Sequence, residues 1–276
     1  VTNAMGIWLM RKSLSAPQRR AVITGASSGI GAAFAYHLAR TTDVLLVARS
    51  KDRLEALAGD LKKCGNDEHN AEICIADLAT QDGIDRTIAA ARSFNAEMLI
   101  NNAGMGTFAP LMDTNLTALT ETVRLNAEAP LILSRALIPD LIARARQSNS
   151  RAKLINVSSS VAFAPVPGLA TYAATKAFLQ SLTESLAVEM CNEPIDILSL
   201  CPGATRSEFA ARAGFAGGQL PGAVDPGKVV SAAFEALGRR TTLLTGPERL
   251  PLAPVVFGRT GVSGAIGMVV NRLRRI

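Results

Sequence analysis

R-A-V-I-T-G-A-S-S-G-I-G, running from Arg20 to Gly31, decides the fold. Arg20 to Thr24 is a short apolar run that reads as a buried strand. Glycines follow at 25, 29 and 31, and Ala32 to Arg40 then has helical composition. Strand, glycine turn, helix is the context that a phosphate-binding turn requires. Gly25 permits the tight turn, Gly29 lets backbone approach a pyrophosphate, and Gly31 lets the helix pack close to the sheet. The helix N-terminus offers free N–H groups and a positive dipole end to an anion. The spacing is G-x-x-x-G-x-G rather than G-x-G-x-x-G. On its own the loop fits a phosphate binder and a plain strand-to-helix turn equally well.

Outward from that turn the chain alternates. Asp43 to Arg49 reads as a second strand, and leucines at 54, 57 and 61 give the next segment a helical period. Ala71 to Asp77 is a third strand, Ala79 to Ser93 a helix, and Glu97 to Asn101 a fourth strand ending in N-N-A-G. Leu111 to Arg146 is a long helical region with expected breaks near Pro130 and Pro139. Lys153 to Val157, Ile195 to Cys201 and Thr241 to Thr245 complete the strands. Helices at Tyr172 to Cys191 and Pro226 to Leu237 lie between them, the second capped by Asp225. This alternation predicts one α/β domain, a Rossmann-type doubly wound sheet of about seven parallel strands with helices on both faces. The second strand ends in Ala48-Arg49, where a dinucleotide fold that binds NAD places an acid. A basic residue there suits the 2′-phosphate of NADP; the alternative is a plain surface charge. Asn126 sits mid-helix, where asparagine is mildly unfavourable, so it is either solvent-exposed or there for a reason.

One further stretch carries chemistry, Lys153 to Lys176: a strand, the serine run S-S-S, a Pro/Gly loop, and Y-A-A-T-K at a helix start. Tyr172 and Lys176 are i and i+4, neighbours on a helix. An ammonium so close favours the phenolate, so the expectation is a tyrosine pKa drawn down toward neutrality, fit for general acid–base work.

Composition agrees. Hydrophobic residues make up 48% of the 276 residues and aromatics only 4%, an aliphatic core that favours parallel α/β packing. The net charge of +6 is scattered and lacks an aromatic-interleaved stripe, so nucleic-acid binding is not expected. Four cysteines without a C-x-x-C pair read as reduced, mostly buried thiols of a cytoplasmic protein. His37 and His69 stand far apart, and no metal is expected. No apolar run is long enough for a membrane span. Residues 1–19 read as an N-terminal extension, with 1–4 a vector-derived scar, 20–249 as the single domain, and 250–276 as an apolar, then basic tail. The tail has three readings: a cover for the cleft, an oligomer contact, or a segment lying on an acidic membrane.

Taken together, these motifs resemble the short-chain dehydrogenase/reductase family in its shorter single-domain branch. The match covers about Ala21 to Thr245, through T-G-A-S-S-G-I-G, Asp77, N-N-A-G, Asn126, the serines, Y-A-A-T-K and Pro202-Gly203. The resemblance implies a tetrad. Ser159, thirteen residues before Tyr172, joins Tyr172 as acid/base, Lys176 as its partner, and Asn126, which holds a water linking Lys176 to solvent. It implies dinucleotide contacts from Gly25, Ser27, Ser28, Gly29, Ile30 and Gly31 in the turn, and from Arg49 at a 2′-phosphate. Asp77 and Leu78 would lie at adenine, with Asn101, Ala103 and Gly104 along the trough. Pro202, Gly203 and Thr205 would lie at nicotinamide, and Tyr172 and Lys176 at its ribose. Ser207 stands where many members carry threonine. The implied activity is NADP(H)-dependent, rather than NAD(H)-dependent, interconversion of a carbonyl and an alcohol. The substrate is a hydrophobic small molecule, judged from Phe108, Phe163, Val166, Phe209 and Phe215. The helices Leu116 to Ile142 and Ala173 to Met190 are surfaces for a homodimer or homotetramer. The other reading is a non-catalytic NADP-binding regulator or sensor on the same fold.

Overall fold

The computed structural model describes residues 19–64, 70–215 and 222–246, with isolated helical positions at Leu252, Val255 and Gly258. Residues 1–18 of the N-terminal extension, the loop 65–69, residues 216–221 and most of the tail lie outside the described residues.

Seven strands form one parallel sheet: β1 (Arg19–Thr24), β2 (Thr42–Ala48), β3 (Ala71–Ile75), β4 (Met98–Asn101), β5 (Ala152–Val157), β6 (Ile195–Pro202) and β7 (Thr242–Thr245). Their order is β3-β2-β1-β4-β5-β6-β7, every pair parallel. The chain winds outward from β1 in one direction, returns to β4, and winds out in the other. Helical connections are what parallel neighbours require.

The strands read as near-continuous apolar runs because both faces are covered. Alternate residues feed two separate cores. Ala21 and Ile23 of β1 and Val44 and Leu46 of β2 face α1 (Gly29–Leu38), α2 (Lys51–Cys64) and α8 (Pro226–Ala236). Val22, Leu45 and Val47 face α3 (Gln81–Ser93) and α5 (Ala129–Gln147). Two further helices are α4 (Leu116–Val123) and α6 (Ala170–Glu189), and α7 (Phe209–Arg212) is a single turn. Asp225 caps α8 as expected, accepting from the Gly227 N–H at 2.9 Å.

The long helical region departs from expectation. It is interrupted beside Pro130 but not at Pro139. The interruption is a π-helical turn, Arg124–Glu128, between α4 and α5, and Pro130, two residues on, cannot make the usual bond back to the Asn126 carbonyl within it. Pro139 lies inside α5, held by buried Leu137, Ile138, Leu141 and Ile142. The cysteines also divide differently: Cys74 and Cys201 are buried, but Cys64 and Cys191 are exposed near the ends of α2 and α6, and all four are free. Among the described residues no helix is long and apolar enough to cross a membrane.

One close contact fixes the loop after β3. A Cβ on Gly83, in the first turn of α3, would lie 2.0 Å from the carbonyl oxygen of Asp77. Gly83→Ala should therefore cost roughly 1–3 kcal/mol, the usual range for overpacking. That lowers the melting temperature by roughly 5 °C. An unchanged thermal melt would show that the Asp77 loop yields freely.

Candidate active site

The site lies where the sheet changes winding direction, at the carboxyl ends of β1 and β4. That is the crevice where open α/β sheets bind ligands. Thr24 joins the two strands. Its hydroxyl donates to the Ile100 carbonyl (3.2 Å) and accepts from the N–H groups of Asn102 (2.9 Å) and Ala103 (3.1 Å). The Asn102 amide completes the join, donating to the carbonyls of Thr24 (2.9 Å) and Gly25 (3.2 Å).

The glycine turn leaves β1 with Gly25 at φ 65° and Gly29 at φ 57°, in the left-handed region that favours glycine. Side chains there would also collide, with Ala103 Cα at 2.8 Å from a Cβ on Gly25 and Ser207 Cβ at 2.9 Å from one on Gly29. Ser28 caps α1 without a side-chain hydrogen bond, and the first turn holds no acid. The amide end of α1 is thus left for an anion.

A cleft of about 650 Å³ runs over this turn. At one end it is lined by Arg49, Asp77 and Leu78, along its floor by Ala103 and Gly104, and at the other end by Ser159, Tyr172, Lys176, Pro202, Gly203 and Thr205. Ser27, Ser28 and Ile30 line it as well. The Arg49 guanidinium stands 3.8 Å from the Asp77 carboxylate, both side chains largely exposed. Asp77 also accepts from the Ala79 N–H at 3.0 Å. Thr205 donates to the Gly203 carbonyl at 3.0 Å.

Three expected site residues do not line the cleft. Gly31 packs on the turn itself, where a Cβ would be 2.2 Å from the Gly25 carbonyl oxygen. Asn101 is buried in the sheet and donates to Asn156 Oδ1 (2.9 Å) and Ser134 Oγ (3.2 Å); its neighbour Asn102 lines the cleft instead. Asn126, fully buried in the π turn rather than solvent-exposed, grips the backbone of Met105. Its Oδ1 accepts from the Met105 N–H (2.9 Å), and its Nδ2 donates to the Met105 carbonyl (2.7 Å) and to Thr175 Oγ1 (3.1 Å). A Cβ on Gly104 would lie 3.3 Å from both Asn126 Oδ1 and Lys176 Nζ, so this glycine is the spacer between the two.

Lys176 is buried and donates to the Val157 carbonyl at 2.8 Å. Ser158, which sequence reasoning passed over in favour of its neighbour, donates to the Lys176 carbonyl at 2.8 Å and so pins α6 to β5. Ser159 lies with Tyr172 in the cleft wall, its hydroxyl accepting from the Val161 N–H at 3.4 Å and donating to the Pro202 carbonyl at 3.5 Å. Phe209 of α7 covers the tyrosine, ring centroids 5.0 Å apart. Of the expected hydrophobic wall, Phe209 and Phe215 line the cleft and Phe108 stacks on Phe215 at 4.4 Å; Phe163 and Val166 do not line it.

The expected fall in the tyrosine pKa is not found. Desolvation in the cleft wall pushes Tyr172 up to about 12, opposed only by the Ser159 hydrogen bond. Lys176 Nζ lies 5.7 Å from the ring centroid, bonded to backbone. Burial brings its own pKa down to about 8, with Cys201 pulling the other way.

Comparison with known proteins fits this geometry. The model of the short chain dehydrogenase family matches residues 19–214, and the chain belongs to that family. A short-chain dehydrogenase from Sphingobium yanoikuyae, solved in complex with NADPH, superposes with a TM-score of 0.76 at 32% identity, covering 88% of this chain and 94% of that one. A bulky-bulky ketone specific alcohol dehydrogenase from Comamonas testosteroni gives 0.74 at 31%, covering 88% and 93%. The very-long-chain 3-oxoacyl-CoA reductase of Kluyveromyces lactis is 31% identical over 183 residues, 64% of this chain; the chain spans about half, 52%, of that protein's length.

The lysine's burial has a stability consequence. Its folded pKa of about 8 lies below the unfolded value near 10.4, so the unfolded chain binds more protons between those two values. The charged lysine therefore opposes folding in full below about pH 8, and stability recovers as pH rises through that window. Lys176→Met should melt at a higher temperature than the parent at pH 7. The gap should narrow by pH 10, read from thermal melts at both; a gap independent of pH would rule this account out.

Proposed function

We propose that this protein is an NADP(H)-dependent oxidoreductase that reduces a ketone or aldehyde to an alcohol, or runs the reverse, on a Ser159–Tyr172–Lys176–Asn126 tetrad. The observation that carries this reading is that Ser159 and Tyr172 share one cleft wall, with buried Lys176 beneath and the glycine turn in the same trough. The trough fits a dinucleotide on its own chemistry: an uncapped helix N-terminus, glycines where a Cβ would intrude, and a guanidinium at the far end.

Gly25, Ser27, Ser28, Gly29 and Ile30 would hold the pyrophosphate, Arg49 the 2′-phosphate, and Asp77 and Leu78 the adenine. Ala103 and Gly104 would lie along the trough, with Pro202, Gly203 and Thr205 around the nicotinamide. Bound there, the nicotinamide supplies or accepts the hydride. The chain's own part is to hold and protonate the substrate oxygen. Ser159 and Tyr172 both offer hydrogen bonds to an oxygen that gains negative charge. Tyr172, protonated well beyond neutral pH, carries the proton for an alkoxide, and the serine hydrogen bond steadies the phenolate left behind. Lys176 holds a proton at an amine that titrates near 8, suited to return one to the tyrosine. Asn126, with its carbonyl oxygen close to the Gly104–Lys176 contact, is placed to order a water on that route.

Phe209, Phe215 and Leu169 line the substrate end, which supports a hydrophobic carbonyl compound. Exposed Leu116, Val123, Leu131 and Phe178 on α4, α5 and α6 support a homo-oligomer built on those helices.

Tyr172→Phe keeps the ring and removes the proton. Turnover of NADPH with a panel of hydrophobic ketones should fall by about 10²–10⁴-fold while NADPH binding persists. Normal turnover in that variant would sink the assignment, and binding without turnover in the parent would favour a sensor. Arg49→Ala should weaken NADPH by about tenfold and leave NADH unchanged, as expected for loss of a charge-assisted phosphate contact. Equal effects on both would remove the NADP preference.

A further inference from the structure

Arg53 and Glu208 are 155 residues apart in the chain and meet across the mouth of the cleft, Nη1 to Oε2 at 2.6 Å. Arg53 lies in the first turn of α2 and lines the trough beside Arg49 and Ser50. Glu208 directly precedes α7, and its carboxylate also pairs with Arg212. The neighbours of Glu208 are placed with equal consequence. Ser207 sits against the glycine turn, 2.9 Å from where a Gly29 Cβ would be, and Phe209 packs on Tyr172. Three successive residues thus touch the phosphate turn, the arginine and the tyrosine.

A phosphate at the Arg49 end of this trough and the Glu208 carboxylate are both anions within the range of one guanidinium. They repel each other and compete for it. Arg53 offers a planar fork that suits either.

We propose that Arg53 is a specificity-determining residue that exchanges Glu208 for the 2′-phosphate of the dinucleotide, so that this phosphate releases α7 and resets Phe209 against Tyr172. This rests on the dinucleotide reading of the cleft. It makes the chain sense which nucleotide is bound at a point that also covers the substrate side.

The test is equilibrium binding of NADPH and NADH, followed by nicotinamide fluorescence, to four full-length variants: Arg53→Ala, Glu208→Gln, the double variant, and Arg49→Ala as control. Both side chains of the pair are about half exposed, so the variants should melt with the parent. Glu208→Gln should tighten NADPH by about two- to fivefold, the scale of an exposed ion pair, and leave NADH unchanged. Arg53→Ala should weaken NADPH by about tenfold and abolish the gain from Glu208→Gln. A gain that persists without Arg53, or equal changes for both nucleotides, overturns the exchange. If Arg49→Ala fails to separate NADPH from NADH, the NADP reading itself falls; if it separates them while Arg53 and Glu208 act additively, only the exchange falls.

Discussion

The hydroxyl of Thr24 is the point on which the site depends. It ties the end of β1 to the end of β4 with three hydrogen bonds, and the Asn102 amide adds two more. Both strands stop there, on either side of the place where the winding reverses. Without that join the glycine turn and the N-N-A-G segment would be two separate loops. With it, Gly25 lies against Ala103 so closely that no Cβ fits between them. The glycine turn and the wall that carries Ser159, Tyr172 and Lys176 then share one floor.

Burial sets the electrostatics of that floor. The phenol of Tyr172 and the amine of Lys176 are each pushed toward the neutral form, the first up to about 12 and the second down to about 8. Two groups that ordinarily bind protons about equally well are driven apart, chiefly by desolvation. A proton on the Lys176 amine therefore moves downhill to a Tyr172 phenolate, which favours reprotonation of the tyrosine. Cys201, in the same buried region, is pushed up to about 12 and stays an inert thiol.

Much of this was legible in the sequence. The strand–helix alternation and the apolar strands gave the sheet, since a parallel strand covered on both faces must be apolar throughout. The i, i+4 spacing put Tyr172 and Lys176 on one helix face. What escaped were contacts that depend on distance through space. The proline rule found the interruption beside Pro130 and failed at Pro139, and it did not show that the interruption would be a π turn that buries Asn126 against Met105. Nothing local marks Asn102 rather than Asn101 as the residue facing the cleft; strand alternation would assign the faces only once the strand's last paired residue is known. Proximity in sequence suggested that Lys176 lowers the tyrosine pKa, and the desolvation that reverses it is a property of the closed fold.

Floor and mouth are held by different forces. The floor is buried and most of its polar groups are hydrogen-bonded, Asn101 Oδ1 excepted, so disturbing a bonded one leaves a desolvated partner behind. The mouth is held by ion pairs at exposed side chains, Arg53–Glu208 and Arg206–Asp225, each worth little in water. Energies of that size can be exchanged for a ligand contact without threatening the fold. The aromatic cover over the tyrosine, Phe209, is attached to the mouth and not to the floor. The floor can therefore stay fixed while contacts at the mouth change with what the cleft holds, since only there are the energies small enough to be reversed.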